Sequence, residues 1–455
     1  MAKATTDPVK LPPGPRLPKL LQGAAFLTAP YTLPAMLARR YGGAVSMRMP
    51  VFGQTVVVTD PALVKDLFST GNDLIERPTN LGRVVGPGSM WSLNGKALIE
   101  RRKLLVPPFH GKRVSEYERI VEEEVMREIA TWPEGQEFET LNSMMRITLN
   151  VILRTVFGAQ GSELDELREV MPSSVELGSR LAMLPDVVLR DLGAWSPGGR
   201  ILRYRRRIDA VTQKLMADAR SDPAFDERSD ILTLLLAARY EDGQPISDSH
   251  ITDELVTLMA AGHETTSLSL AWAVERLRRH PNLLERLVAE VDAGGSELRQ
   301  ATIWEVQRTR PVVNATMRRT LQRIRLGDWV IPEGSTLLIS IELAQHAPDQ
   351  FTDPEAFNPD RYAEIGKLPP AWVAFGGGIY RCIGSAFATM EMDVALRTML
   401  RELRFEPTTA PAERRHSRGT NMAPEKGGRA VVYRRSGTSL GDARTRSVST
   451  LGDRH

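Results

Sequence analysis

Phe375-Gly376-Gly377-Gly378-Ile379-Tyr380-Arg381-Cys382-Ile383-Gly384 is the stretch on which the reading of this chain turns. Three consecutive glycines open backbone conformations closed to other residues and let a flat ligand come close to the chain. Residues 385–403 are strongly helix-forming, which puts Cys382 at or just before a helix start. Unpaired N–H groups and the positive end of the helix dipole favour an anionic sulfur there. A thiolate so placed can bind a metal. Cys382 is also the only cysteine in 455 residues, so an intrachain disulfide and any multi-cysteine zinc or iron–sulfur site are excluded. A lone Cys is a buried spectator, a nucleophile or an axial ligand, and the glycines, Phe375 and the following helix argue against the first. The run fails as a dinucleotide loop because position 381 is Arg rather than Gly. Asn94-Gly95-Lys96-Ala97 lacks the spacing and hydroxyl of a phosphate loop.

A second stretch, residues 249–280, reads as one helix closed by Pro281 and about 45 Å long. Its middle is Ala261-Gly262-His263-Glu264-Thr265-Thr266. An interior Gly costs about 1 kcal/mol against Ala, and a buried Glu needs a partner. Both penalties point to function. Gly262 would open space beside the helix for a small ligand, and Glu264 with Thr265 supplies an acid and an alcohol able to pass protons inward. A zinc helix would need a second His at position 267, which is Ser. Residues 255–274 are apolar enough to suggest a membrane span, but the charge at their centre makes them a buried core helix.

The cysteine segment, with Ala386-Phe387-Ala388 and Met390-Glu391 after it, closely resembles the cysteine loop of the cytochromes P450. The block 261–266 is similar to the oxygen groove of that family, and the likeness, to soluble actinobacterial-type members, runs over residues 11–435. It implies the cytochrome P450 fold: mainly α with a minor β part, and haem b between the long central helix and the cysteine-bearing helix. Cys382 would bind the iron, its electron donation favouring O–O cleavage, with Phe375 packed beside the sulfur. Glu264 and Thr265 would deliver protons to dioxygen. Glu305 and Arg308, in Glu305-Val306-Gln307-Arg308, would join Arg361 in a buried triad on the proximal side. Arg102 and Arg318 would meet the haem propionates. Two positions depart from the family pattern: Tyr380 stands where Arg or His is usual, and Leu98 where Trp or His is. Arg381 either compensates for Tyr380 or does not reach. If it does not, Tyr380→Arg is expected to slow haem loss.

Composition is that of an ordinary globular protein, 42% hydrophobic and 25% charged. A net charge of +3 is too small to argue for nucleic acid, though a locally basic face suits an acidic protein partner. No long apolar run accompanies Lys3, Lys10 and Leu11-Pro12-Pro13-Gly14-Pro15, so neither a signal peptide nor a membrane anchor is expected and the location is read as cytoplasmic. Helical periodicity marks 113–132, 140–157 and 200–219. Hairpins are expected from 46–51 with 55–59, and from 329–332 with 336–340 around Glu333-Gly334. No internal repeat is present. Residues 1–435 read as one catalytic domain and 436–455 as a disordered tail.

No flavin or iron–sulfur domain follows the core, so the resemblance implies a separate NAD(P)H-linked donor such as ferredoxin with ferredoxin reductase. The implied reaction inserts one atom of O2 into an apolar small molecule. Pocket walls are expected from 84–91, 176–192, 258–266, 312–316 and 420–422, whose Leu, Met, Val and Trp suit a lipid, terpenoid or sterol. A haem-thiolate peroxide user or isomerase and a non-enzymatic haem sensor are the other readings; Glu264 and Thr265 count against the former. A cysteine hydrolase lacks a His that the sequence can place near Cys382.

Overall fold

Helices carry most of the chain in the computed structural model, which describes residues 1–435 except Pro30, Tyr31, His110, 159–161, Met183 and 366–367. The expected tail, 436–455, lies outside the described residues. The helices that position the site are, in chain order, α1 (Lys19–Thr28), α2 (Thr32–Tyr41), α3 (Pro61–Phe68), α4 (Gly95–Leu105), α5 (Glu118–Ile129), α6 (Thr140–Phe157), α7 (Asp165–Leu181), α8 (Pro197–Ser221), α9 (Asp248–Leu277), α10 (Glu297–Thr309) and α11 (Ser385–Glu402).

Their ends follow local chemistry. Ser247 caps α9 by accepting the His250 N–H, and Pro281 forces His280 out of the helical region, so α9 stops three residues short of the expected end. Ser196 caps α8 with Pro197 at its first position, which starts it three residues earlier than the periodicity suggested. The expected helix 113–132 is broken at Tyr117, whose buried ring anchors against Phe387 of α11, 5.7 Å between centroids. Helix α6 keeps its expected bounds and closes on Gly158 at φ +63°.

The strands that frame the site are, in chain order, β1 (Ala44–Met49), β2 (Gly53–Val58), β3 (Ile75–Glu76), β4 (Ala315–Thr320), β5 (Ile324–Leu326), β6 (Trp329–Ile331), β7 (Thr336–Ser340), β8 (Arg415–Ser417) and β9 (Met422–Pro424). The first expected hairpin is present: β1 pairs with β2 from Ala44↔Val58 to Met49↔Gly53. The second is not. Trp329–Ile331 pairs instead with Ile324–Leu326 across a tight Gly327-Asp328 turn, Gly327 at φ +54°. Thr336–Ser340 enters a five-stranded sheet of order β1-β2-β7-β4-β3, parallel to β2 and antiparallel to β4. Leu337 and Ile339 are fully buried there, as a central strand requires and a lone hairpin arm does not.

Helix α9 runs through the main core and is buried on nearly every side from Ile251 to Leu277, packed on α6, α10 and α11. A helix apolar all round belongs in an interior. No helix among the described residues is long and apolar enough to cross a membrane. Between α9 and the 375–384 segment lies an internal cavity of about 540 Å³.

Candidate functional site

The cysteine loop is fixed by its own backbone. The Cys382 N–H donates to the Phe375 carbonyl (3.0 Å) and the Arg381 N–H to Gly378 (3.1 Å), with Gly376 and Gly378 at φ +67° and +64°. The close approach expected of a flat ligand is made at two of the three glycines by protein instead. A Cβ on Gly377 would stand 2.6 Å from the Phe68 ring, and one on Gly378 2.2 Å from the Phe68 carbonyl oxygen. Gly376 alone is open, and it lines the cavity. Cys382 is exposed, but the space it faces is the cavity. Burial pushes its thiol pKa up, while the Gly384 N–H at the cap of α11 and the guanidiniums of Arg102 and Arg381 pull it down. A bound metal ion would deprotonate the thiol outright. Phe375 also lines the cavity, its ring edge-on to Trp372 at 5.9 Å.

Two arginines stand over Tyr380, Arg318 buried and Arg77 half-buried. The Arg318 guanidinium, from β4, lies 4.4 Å from the ring centroid, and that of Arg77 5.2 Å from it. The Tyr380 hydroxyl donates to Asn94 Oδ1 (2.9 Å), so its proton is already used. Asn94 in turn exchanges two bonds with the Arg77 backbone, accepting from its N–H at 3.1 Å and donating to its carbonyl at 3.0 Å. Arg77 donates to the Met90 carbonyl and Arg318 to Thr316 and the Met317 carbonyl; neither forms an ion pair with a carboxylate among the described residues, and the Arg77 Nε has no hydrogen-bond partner. Burial lowers both pKa values to about 10. Buried cations without counter-charge are costly. This corner is therefore electrically incomplete, and it suits a flat ligand carrying two anionic groups.

The remaining expected anchors divide. Arg381 is on the cavity wall with Arg77 and Arg318, whereas Leu98 and Arg102 are not. Leu98 is fully buried in the core. Arg102 Nη1 donates to the Arg381 carbonyl at 2.8 Å, supporting the loop from behind. Arg77 and Asn94 escaped the sequence reading, since no local spacing links either to Tyr380.

Across the cavity lies the middle of α9. Gly262 lines the cavity, and a Cβ there would sit 3.0 Å from Ile152 Cδ1, so the glycine also serves the close packing of α6 on α9. The Thr265 hydroxyl donates to the Ala261 carbonyl (2.7 Å). Glu264 is buried and held from one side, by Arg418 Nε on Oε1 (3.0 Å) and Asn421 Nδ2 on Oε2 (2.8 Å), both from the turn joining β8 and β9. Arg418 also reaches Glu176 of α7 (3.3 Å). His263 is buried against Thr148, and burial lowers its pKa to about 4, so the ring is neutral.

Glu305, Arg308 and Arg361 are brought together. Arg308 grips both Glu305 oxygens at 2.8 Å, and Arg361 Nε donates to Oε1 at 3.2 Å. Two partners were not foreseen: the Tyr362 hydroxyl (3.1 Å) and the Asn358 N–H (2.9 Å) also donate to Glu305. Arg308 spends its other N–H groups on the carbonyls of Gln345, Pro354 and Ala356, tying α10 to the meander that leads to the cysteine loop.

Comparison with known proteins agrees with this geometry. The family model for cytochrome P450 matches residues 11–429. Cytochrome P450 138 of Mycobacterium tuberculosis is 51% identical over 429 residues, covering 94% of this chain and 97% of that protein. Cytochrome P450 135B1 of the same species is 35% identical over 443 residues, covering 94% and 92%. Among solved structures, retinoic acid-bound cyanobacterial CYP120A1 superposes with a TM-score of 0.83 at 22% identity, covering 94% of this chain and all of that one. The cytochrome P450DA haem domain gives 0.80 at 22% identity, covering 94% and 98%. The structural likenesses establish the fold and the sequence matches the kinship: this chain belongs to the cytochrome P450 family and is a haem monooxygenase.

Proposed function

We propose that the enzyme inserts one oxygen atom from O2 into an apolar small molecule, giving hydroxylated product and water, with two electrons from an external NAD(P)H-linked donor such as a ferredoxin and its reductase. One observation carries this reading: Cys382 and the 261–266 segment of α9 line the same cavity, whose remaining wall is largely apolar, including Val84, Met90, Trp91, Leu258, Val312 and Met422. Water finds few partners in such a chamber, and an apolar ligand fits it.

The residues fit haem b. Its two carboxylates supply the counter-charge that Arg77 and Arg318 lack, with Arg381 beside them and the Cys382 sulfur facing the same space. When bound, the haem supplies dioxygen binding and O–O cleavage through its thiolate-ligated iron. The Glu305–Arg308–Arg361 triad fixes the loop that presents Cys382. Glu264 holds a proton-exchangeable carboxyl at the cavity wall, and Thr265 holds a hydroxyl next to it. Arg418 and Asn421 fix the orientation of the Glu264 carboxyl. The reduced, CO-treated protein tests the central assignment. Cys382→Ser should abolish the thiolate-type Soret shift, and a variant that kept it would overturn the assignment. A ligand screen reading displacement of water from the ferric protein should return apolar molecules; a set of charged, hydrophilic hits would refute the substrate class.

A further inference from the structure

Two tyrosines, one in the cysteine loop and one in its support, spend their hydroxyl protons on partners of different kinds. The Tyr380 hydroxyl, on the cavity wall, donates to the amide oxygen of Asn94, and two guanidiniums without carboxylate partners stand over its ring. An amide oxygen accepts a hydrogen bond but does not take the proton, and bare cations nearby oppose the loss of an electron. The Tyr362 hydroxyl donates instead to Glu305 Oε2 at 3.1 Å. A carboxylate can take the phenolic proton outright. Arg308 and Arg361 are close to this pair, but each is bonded to Glu305 and to backbone carbonyls, so their charge is already met. Tyr362 is buried, and burial together with the Glu305 charge holds its pKa up, so the phenol is intact at rest.

Aromatic rings join Tyr362 to the cavity. Phe375 lines the cavity that Cys382 also lines, and its ring lies 5.9 Å from that of Trp372, at 62°. The Trp372 indole N–H donates to the Trp304 carbonyl (3.1 Å), and the Trp304 ring lies 5.5 Å from that of Tyr362, at 70°. Edge-to-face rings at such separations are in contact. Indole and phenol give up an electron far more readily than the benzene ring of Phe, so Phe375 only bridges the gap between the cavity and Trp372. Trp304 directly precedes Glu305 in α10, which puts the last relay ring and the proton acceptor on one turn of helix.

The chamber gives such a chain something to do. An oxygen-activating cofactor that meets no substrate is left facing protein, and the cavity wall carries Met90, Trp91, Met171, Met392 and Met422 beside Cys382. Thioether and thiolate are readily oxidised.

We propose that Trp372, Trp304 and Tyr362 form a discharge path that returns electrons from the protein to an over-oxidised haem when no substrate is bound. In one turn Tyr362 loses an electron to the haem by way of the two indoles, and its phenolic proton crosses to Glu305 Oε2. A neutral phenoxyl radical and a protonated carboxyl result. One electron from an external thiolate restores the phenol as the proton returns from Glu305, and the thiyl radicals so formed couple to disulfide. Two turns supply the two electrons that, with two protons from solvent, convert the activated oxygen atom to water. The path presupposes haem in the cavity, which the CO spectrum of the reduced protein reports independently.

The test is electron paramagnetic resonance of the haem-loaded protein, mixed with a peracid in the absence of substrate and rapidly frozen. Protein grown on ring-deuterated tyrosine or tryptophan identifies the radical. A signal that narrows with deuterated tyrosine is expected; Tyr362→Phe should abolish it and Tyr380→Phe should leave it. Trp372→Phe keeps a ring but not one that readily gives an electron. It should remove most of the tyrosyl signal and raise methionine sulfoxide at the cavity wall, read by peptide mapping. No tyrosyl signal in protein whose CO spectrum shows haem overturns the proposal, as does a signal that survives Tyr362→Phe or one that Tyr380→Phe abolishes with haem retained. Should Tyr362→Phe fail to hold haem, Trp372→Phe decides, because its indole bonds a backbone carbonyl and no member of the triad. An undiminished signal with unchanged sulfoxide in that variant overturns the path.

Discussion

Replacing Arg77 by Met keeps the aliphatic stem beneath Tyr380 and deletes one of the two guanidiniums. If Arg77 meets a haem propionate as proposed, the substitution would remove a charge-assisted hydrogen bond, a loss of about 1.5–3 kcal/mol that corresponds to roughly 10- to 150-fold faster haem release. Without haem the sign reverses. Arg77 is then a half-buried cation with no carboxylate partner and a pKa driven down to about 10, so the Met variant should melt no lower than wild type and is expected to melt higher. Arg318→Met should behave alike. Arg102→Met should change release by less than about threefold, because its guanidinium is committed to the Arg381 carbonyl rather than to a ligand anion. Tyr380→Arg, expected from sequence to tighten haem, should instead loosen it. It forfeits the bond to Asn94 and sets a third cation between two others roughly 5 Å away, repulsion of about 3 kcal/mol per pair at an effective dielectric of 20. Transfer of haem to apomyoglobin, followed in the Soret band, measures release, and melting of the haem-free proteins supplies the second sign. An Arg77→Met protein that keeps haem like wild type, beside an Arg102→Met protein that loses it quickly, would refute this account.

Thr265→Ala should leave haem and substrate binding nearly intact while diverting electrons from NAD(P)H into hydrogen peroxide; full coupling of reductant to product would remove Thr265 from the proton path. Glu305→Ala strands Arg308 and Arg361 as buried unpaired cations, and should cost about 3–5 kcal/mol in denaturant unfolding; a change under 1 kcal/mol, a threshold set roughly at the worth of an exposed pair, would deny the triad its role. Glu391 is fully buried in α11 with its pKa raised well above the usual carboxylate value by desolvation. The folded state therefore holds a proton that the unfolded chain gives up above about pH 4.5, and stability falls as pH rises from there toward the folded pKa. Glu391→Gln should remove that slope, so its melting advantage over wild type should grow with pH; parallel profiles would contradict the assignment.

What the sequence revealed was what lies within one run of residues. The cysteine loop announces itself because three glycines, one Cys and a helix start sit within ten positions, and the long helix because its polar block interrupts an otherwise apolar run. The triad was legible through the spacing of Glu305 and Arg308 and the resemblance that added Arg361. What escaped was made by distant chain. Arg77 meets Tyr380, and Arg418 meets Glu264, only through tertiary packing that leaves no periodic trace. Gly377 was read as room for a ligand, yet the Phe68 side chain of α3 occupies that position, because a glycine's vacancy does not say who fills it. The pairing of 329–331 with 324–326 was missed because Gly327-Asp328 is the tighter turn and Ile324-Arg325-Leu326 is too short to stand out.

The contact of Gly377 and Gly378 with Phe68 bears on when this chain can acquire its cofactor. Several of the residues that hold the cysteine loop lie roughly 300 positions upstream of it: Phe68, Arg77, Asn94 and Arg102. The loop itself emerges from the ribosome long after them. Early residues must therefore wait, folded or held, until the late ones arrive, and the metal ligand is among the last groups to become available. Thiolate-ligated haem binding is therefore expected only after the cysteine loop has left the ribosome. A nascent chain arrested before residue 375 should bind no haem by its thiolate signature, and one arrested well beyond 402 should bind it once the tunnel has been cleared.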